Sequence, residues 1–257
     1  MGKKAALAIE SLISMKSTET LLTTFIDPLL QLALKESRIH CSLNINTETG
    51  RISARKPNLM NQPAFDKDVY KIRSAFQASK GNKLIVADYG QLELRILAHM
   101  TNCKAMLDAF HKGGDFHSRT AMGMYPHLKK EIESGELLLE WDKSKGAAPA
   151  PLLKDKYSGE RKKAKMMNFS IAYGKGAHGF SKDWGCTYKE AEDALNLWFA
   201  DRIEVKKWQE QTKEEAIRYG WTRTMMGRYR RLEDNVCFGS PRSKIFHGLR
   251  ASINTPI

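Results

Sequence analysis

The spacing of apolar and polar positions changes several times along the 257-residue chain, and each change predicts a different element. Residues 1–35 read as helices broken at Asp27-Pro28. IHCSLNINTETGRISA, residues 39–54, alternates and carries a Thr-Gly turn, which predicts strands. KPNLMNQP, residues 56–63, is a loop rich in Pro and Asn. KLIVAD, residues 83–88, is a short apolar run ending at Asp88 and predicts a buried strand, followed by a helix over QLELRILAHM. From Thr101 to Tyr219 the pattern is mainly helical, with interruptions at Gly113-Gly114-Asp115, at Tyr125-Pro126 and at DKSKGAAPAP. The Gly, Pro and Ala of that last stretch predict a mobile surface loop. No internal repeat is visible.

Composition narrows the class. Apolar residues make up 42% of the chain, which is globular rather than disordered. No apolar run approaches the roughly 20 residues that span a bilayer, so no membrane role is expected. The N-terminus, MGKKAALAIESLISM, reads as the start of a helix, with no targeting segment visible. Gly2 is followed by Ala6 where myristoylation needs Ser or Thr. Cys41, Cys103, Cys186 and Cys237 are scattered, which indicates neither a disulfide framework nor a zinc cluster.

Charge changes the picture more. The formal net charge is +13, and the excess is local as well as global. Nine Lys or Arg lie between Lys143 and Lys175 against Asp155 and Glu160, and RTMMGRYRR (223–231) forms a second cluster. Charge blocks often only solubilise a surface, but two of them on a globular chain favour a polyanionic partner.

Three stretches carry candidate chemistry. In VADYGQLELR, Asp88 ends an apolar run, Gly90 follows, and Glu93 falls in the first turn of the expected helix. Such an Asp suits a hard cation such as Mg²⁺, or else caps the helix. In RKKAKMMNFSIAYG, every fourth residue from position 161 gives Arg161, Lys165, Phe169 and Tyr173, one helical face. Ala164, Met167 or Asn168, and Ile171 form a more apolar face that can pack down. Two cations near a helix N-terminus call for an anion between them, and a triphosphate whose base stacks further along fits. An amphipathic helix with a snorkelling basic rim fits the spacing equally well. In DFHSRTAMGMY, His117 after an acidic turn is either a phosphate donor or a satisfied structural residue.

Together these stretches resemble the family A DNA polymerases, of the bacterial DNA polymerase I type. DYGQLELRILAH looks like motif A and RKKAKMMNFSIAYG like motif B. TGRISARKPNLMNQP and DFHSRTA match two further blocks, and LRASINTP matches the stretch before motif C. The likeness runs from about Ile39 to the end, and its details look closest to the plant and protist organellar branch. It implies an α+β fold, with a helical fingers subdomain on a partial antiparallel palm sheet. Residues 1–38 would join thumb to palm and 39–101 would begin the palm. Residues 102–240 would form the fingers, with an inserted loop near 129–158, and 241–257 would start the second palm part.

By the same resemblance, Arg161, Lys165 and His117 hold the phosphates of a deoxynucleoside triphosphate, and Lys165 protonates the leaving pyrophosphate. Phe169 lies against sugar and base and discriminates against dideoxynucleotides. Tyr173 sits at the insertion site and takes part in fingers closure with Gly174. Asp88 and the Tyr89 backbone carbonyl bind Mg²⁺, two ions in the complete enzyme. Glu93 is the steric gate against a ribose 2′-OH. Arg51, Asn58, Asn61, Arg250 and Asn254 contact the minor groove of primer–template DNA, where acceptors are nearly the same for every base pair. A mitochondrial or plastid location is implied too.

The chain departs from the family pattern in two ways. Met60 stands where the family usually has Gln. The sequence also stops at SINTPI, before motif C and its metal-binding Asp. Two ions about 4 Å apart need at least two bridging carboxylates. The expectation is therefore fingers plus half a palm with little polymerase activity alone. That describes either a truncated product or one half of a split polymerase completed by a second chain. A non-catalytic DNA- or nucleotide-binding fragment is the alternative, whereas Glu93 argues against an RNA polymerase relative.

Overall fold

A computed structural model describes residues 2–33, 36–63, 68–237 and 239–257. The chain forms two compact units, Met1–Asp88 and Tyr89–Ile257.

In the first unit, α1 (Lys3–Leu21) runs through one π-helical turn (Leu22–Ile26) into α2 (Asp27–Ala33). The expected break at Asp27-Pro28 is thus a widened turn. Pro28 has no N–H to donate and a proline ring crowds the carbonyl four residues back in a helix, and the Asp27 amide reaches back five residues to the Leu22 carbonyl. Leu34 and Lys35, the end of the expected helical stretch, lie outside the described residues. None of the described side chains of α1 or α2 is buried, and Leu7, Leu12, Ile13 and Met15 are all exposed.

The expected strands are present but short. β1 (Ser42–Asn44) pairs antiparallel with β2 (Ser53–Arg55), with Leu43 opposite Ala54. The turn between them uses Gly50 at φ +83° and the Thr47 hydroxyl, which donates to the Arg51 carbonyl at 2.5 Å. Further on, Asp68 accepts from the amides of Ile72 and Arg73 at 2.8 and 3.0 Å, starting a 3₁₀ turn (Ile72–Ala75).

KLIVAD is not the buried strand its composition predicts. Leu84, Ile85 and Val86 are 64%, 88% and 84% exposed, and no described strand pairs with them. A β-strand is defined by a neighbour that satisfies its N–H and C=O groups, and an apolar run does not create one by itself.

The second unit is a helical body: α3 (Leu92–Thr101), α4 (Lys104–Lys112), α5 (Phe116–Met124), α6 (Pro126–Glu133), α7 (Leu153–Lys156), α8 (Ser158–Ala172), α9 (Ala177–Trp184), α10 (Tyr188–Ala200), α11 (Ile203–Tyr219), α12 (Glu233–Val236) and α13 (Arg242–Asn254). The interruptions act as punctuation. Gly113 and Gly114 take positive φ before Asp115 caps α5, and Pro126 opens α6. A Thr187/Glu190 capping box starts α10. Leu94, Leu97, Met106, Leu128, Leu153, Met167, Phe180 and Trp198 make one apolar core, with α8 packed most extensively on α5.

The stretch expected to be a mobile loop is clasped at its base. The Leu138 amide donates to the Pro151 carbonyl (3.0 Å) and the Leu153 amide to that of Leu138 (2.8 Å). Trp141 donates across the loop to the Gly146 carbonyl at 3.0 Å. A hairpin, β3 (Trp221–Arg223) with β4 (Tyr229–Arg231), follows α11. Among the described residues, no helix is long and apolar enough to cross a membrane.

Candidate functional site

The site is organised by α8. Its inner face, Ala164, Met167, Asn168 and Ile171, is buried, and Gln209 on α11 donates to the Ile171 carbonyl at 2.7 Å near the helix end. Fixing that face leaves Arg161, Lys165, Phe169 and Tyr173 along the outward side, half-buried except for exposed Lys165.

The anion beside Arg161 is supplied by the protein. Arg161 donates from Nε and Nη2 to the two oxygens of Asp115, at 2.5 and 3.2 Å. The same carboxylate accepts from the Ser118 hydroxyl (2.6 Å) and the His117 amide (3.1 Å), so it caps α5 and ties it to α8. Burial alone would raise the Asp115 carboxyl. The hydrogen bonds from Arg161 and Ser118, with the guanidinium charge, outweigh it and hold the group below its ordinary range. A guanidinium has five N–H donors, so this fork leaves others for a second anion. Lys165 makes no hydrogen bond or salt bridge among the described residues.

His117 is 3% exposed, and its ring is fixed by a relay the sequence does not advertise. Trp198 Nε1–H can only donate, and it donates to Asn168 Oδ1 at 2.8 Å. That contact turns Asn168 Nδ2 toward His117 Nδ1 (3.1 Å) and Thr120 Oγ1 (3.0 Å). The amide NH₂ only donates, so His117 Nδ1 accepts and the neutral ring carries its proton on Nε2. Burial, reinforced by Arg161 and Lys165 against the opposing pull of Asp115, lowers His117 from 6.5 to about 4. At neutral pH the ring is an uncharged N–H donor. It lies 5.6 Å from the Phe169 ring.

At the other end of the stripe the Tyr173 hydroxyl donates to the Glu93 carboxylate, joining α8 to the start of α3. Gly174 follows at φ +70°, and a Cβ there would lie 2.9 Å from Ile253 and 3.5 Å from Arg250 on α13. Only glycine allows that approach. Arg250 is exposed. Asn254 is half-buried, with Oδ1 buried and unpaired.

Of the remaining expected residues, Arg51, Asn58, Asn61 and Asp88 belong to the first unit, and Tyr89, also exposed, opens the second. Arg51 and Asp88 are exposed. Asn58 and Asn61 line a shallow cleft with Thr24, Phe25, Pro28 and Leu29, and Asn58 Oδ1 accepts from the Met60 amide at 3.1 Å. Asp88 does not cap α3, whose first flanking residue is Gln91. Among the described residues, no group of three or more His, Cys, Asp or Glu side chains is placed to hold a metal ion. The residues present do not by themselves fit a two-ion site, which needs at least two bridging carboxylates.

What converges on the outward face is therefore a set of phosphate-compatible donors, then an aromatic ring, then a phenol held by a carboxylate. The sequence missed Asp115, Thr120, Asn168 and Trp198. A polar Asn within an apolar helical face was the one signal that could have pointed to them.

Comparison with known proteins bears on this arrangement. The sequence profile of DNA polymerase family A matches residues 2–136 and 150–257, and the unmatched stretch overlaps the clasped loop. The chain is 56% identical over 260 aligned residues to DNA polymerase I A, chloroplastic/mitochondrial, of Arabidopsis thaliana, and 54% identical to DNA polymerase I B, mitochondrial, of rice. It is 32% identical over 228 residues, 88% of its length, to the thermostable DNA polymerase I of Thermus aquaticus. All of this chain aligns with the plant proteins but spans only about a quarter of their length, 24% and 25%. The POL domain of Pol1 from M. smegmatis, solved in complex with DNA primer-template and dNTP, superposes with a TM-score of 0.73 at 27% identity. That match covers 92% of this chain and 38% of the other.

Proposed function

Because the chain belongs to DNA polymerase family A, we propose that it receives the incoming deoxynucleoside triphosphate in template-directed DNA synthesis. The observation that carries this reading is the outward face of α8, with a neutral His117 donor fixed beside Arg161 and Lys165. The triphosphate runs along Lys165, the spare donors of Arg161 and His117 Nε2–H, and sugar and base lie against Phe169. Lys165, exposed and free of salt bridges among the described residues, can follow the leaving pyrophosphate and give it a proton. Tyr173 holds Glu93, and the carboxylate so fixed occupies the space a 2′-hydroxyl needs. Arg161 acts first as a strut to Asp115 and only then as a phosphate ligand.

Family A DNA polymerases use Mg²⁺. Asp88 and the Tyr89 carbonyl are this chain's contribution to holding it, and further carboxylates come from elsewhere, in a second chain or in more of the same protein. Arg51, Asn58, Asn61, Arg250 and Asn254 contact primer–template DNA. The names of the plant relatives support a plastid or mitochondrial location.

Primer extension with Mg²⁺, a primed template and four deoxynucleotides tests the reading. The purified chain should extend little alone, and activity should appear when a polypeptide carrying motif C is added. Extension by the chain alone that Asp88→Ala abolishes would show that its metal site is complete and overturn this partition. The lack of a metal-ligating cluster among the described residues favours a second reading, a DNA- and nucleotide-binding fragment without turnover. It predicts salt-sensitive DNA binding and no extension under either condition.

A further inference from the structure

The clasped loop between α6 and α7 is held at more points than a surface connection requires. Leu137 is buried and Leu139 packs on the core. Glu131, on α6, accepts from Lys156 Nζ at 2.8 Å and from the Tyr157 hydroxyl at 2.5 Å. The Tyr157 carbonyl in turn accepts from the Arg161 amide at 3.1 Å, in the first turn of α8. The loop is therefore tied at its base to the start of the helix that carries the nucleotide face.

Glu140 is the residue this framework aims. It stands between Leu139 and Trp141, whose indole closes the loop on Gly146, and it falls in the stretch that the family profile leaves unmatched. Its carboxylate accepts from Arg119 Nη2 at 3.1 Å, and Arg119 Nε donates to the Gly113 carbonyl, also at 3.1 Å. A Cβ on Gly114 would overlap the same carboxylate. Glu140 thus lies against the Gly113–Gly114 turn, whose two glycines take φ of +73° and +80°. Two glycines in succession leave a backbone soft. Yet the next residue is Asp115, which has to meet Arg161, Ser118 and the His117 amide at once.

Building on the reading that the outward face of α8 receives a deoxynucleoside triphosphate, we infer that Glu140 and Arg119 are positioning residues for that site. The carboxylate supplied by the clasped loop braces the Gly113–Gly114 turn, and the turn, through Asp115, sets Arg161 and His117. Neither side chain has to touch the nucleotide. The Arg161 fork and the His117 amide bond depend on distance and angle, so a shift of Asp115 weakens both together. The bland alternative is an ordinary surface ion pair, which contributes little. The Arg119 and Glu140 side chains are 21% and 47% exposed, so the attraction between their charges is indeed screened. What the pair supplies is geometry. One guanidinium holds both the turn's carbonyl and the carboxylate, and that carboxylate fills the space a side chain at position 114 would take.

Amide hydrogen exchange and dATP calorimetry on the full chain test this together. The His117 amide, bonded to Asp115, reports on the turn, and the Leu138 and Leu153 amides report on the base of the loop. Glu140→Ala should speed exchange at His117, leave Leu138 and Leu153 protected, and weaken dATP about 2- to 5-fold. Glu140→Gln keeps an acceptor oxygen in the same space and should restore most of both. Arg119→Ala also frees the Gly113 carbonyl and should weaken dATP about 5- to 20-fold. Adding Glu140→Ala to it should cost little more, because both residues act through one turn. Unchanged exchange at His117 in Glu140→Ala would overturn the inference. So would faster exchange with unchanged dATP affinity, or losses that simply add in the double variant. Equal loosening at Leu138 and Leu153 would overturn it as well, reducing Glu140 to a clasp of its own loop. Lys165→Ala is the separate control. If it leaves dATP binding unchanged, the reading of α8 fails, while exchange at His117 still decides the brace.

Discussion

Helices α1 and α8 make the instructive contrast. α1 is the longer, 19 residues against 15, and carries apolar side chains along its length, yet none of its side chains is buried. α8 is more polar on average and buries Ala164, Met167, Asn168, Ile171 and Ala172. Hydrophobic content did not decide which helix was fixed. The decisive feature was a contiguous inner stripe with helices α3, α5, α7 and α11 around it. A helix held on one face can present the opposite face with defined geometry, and this is what a site made of Arg161, Lys165, Phe169 and Tyr173 requires.

The contrast can be broken by substitution. Trp198→Ala, which empties a fully buried position and frees Asn168, should cost about 3–5 kcal/mol of unfolding free energy in denaturant titration. A loss under 1 kcal/mol would mean that the packing around α8 is not what holds it. Acid should act on the same region next. His117 titrates near 6.5 unfolded and about 4 folded, so the unfolded chain binds more protons between those values. Stability is then full above pH 6.5 and falls as pH drops toward 4, by about 3 kcal/mol in total. Asp115, held below its ordinary range, loses its contribution at still lower pH. His117→Gln should flatten the slope between pH 6.5 and 4 and leave the lower one, and a slope unchanged by that substitution would contradict the burial argument.

Asn168→Ala should cost about 1–3 kcal/mol, because it strands the Trp198 indole N–H and leaves His117 Nδ1 without its donor, whereas the Thr120 hydroxyl keeps its bond to the Phe116 carbonyl. Its ¹⁵N spectrum should also show His117 losing a single preferred tautomer, which a merely structural role would not predict. At the small end, Leu12→Ala on exposed α1 should stay within about 0.5 kcal/mol of wild type in this chain. A loss of several kcal/mol would show that α1 is packed in solution and would erase the contrast.

Legibility from sequence followed the range of the interactions. Features written within one turn were readable: the four-residue stripe on α8, the Gly-Gly-Asp stop before α5, the Tyr-Pro start of α6 and the Thr-Gly hairpin. Features that depend on a distant partner were not. Asn168 looked like one more inner-face residue, because Thr120 lies 48 positions away, His117 51 and Trp198 30. Arg161 looked available to an anionic ligand, because Asp115 is 46 positions away. KLIVAD looked like a buried strand because apolar content predicts burial only where a neighbouring strand exists to provide it. Family membership was legible because it rests on short ordered motifs rather than on tertiary contacts.

The most direct measurement is calorimetric titration of the chain with dATP, comparing wild type, Lys165→Ala and Lys162→Ala. The two lysines are three residues apart on α8, both are exposed, and their substitutions remove the same charge, but only Lys165 lies on the stripe with Arg161 and Phe169. Lys165→Ala should weaken binding by about 1–3 kcal/mol, the loss of one charged donor, with Lys162→Ala close to wild type. Equal losses at both positions would mean that the phosphates feel only the general basic charge of α8 and would contradict a nucleotide site built on the Arg161–Lys165–Phe169 stripe.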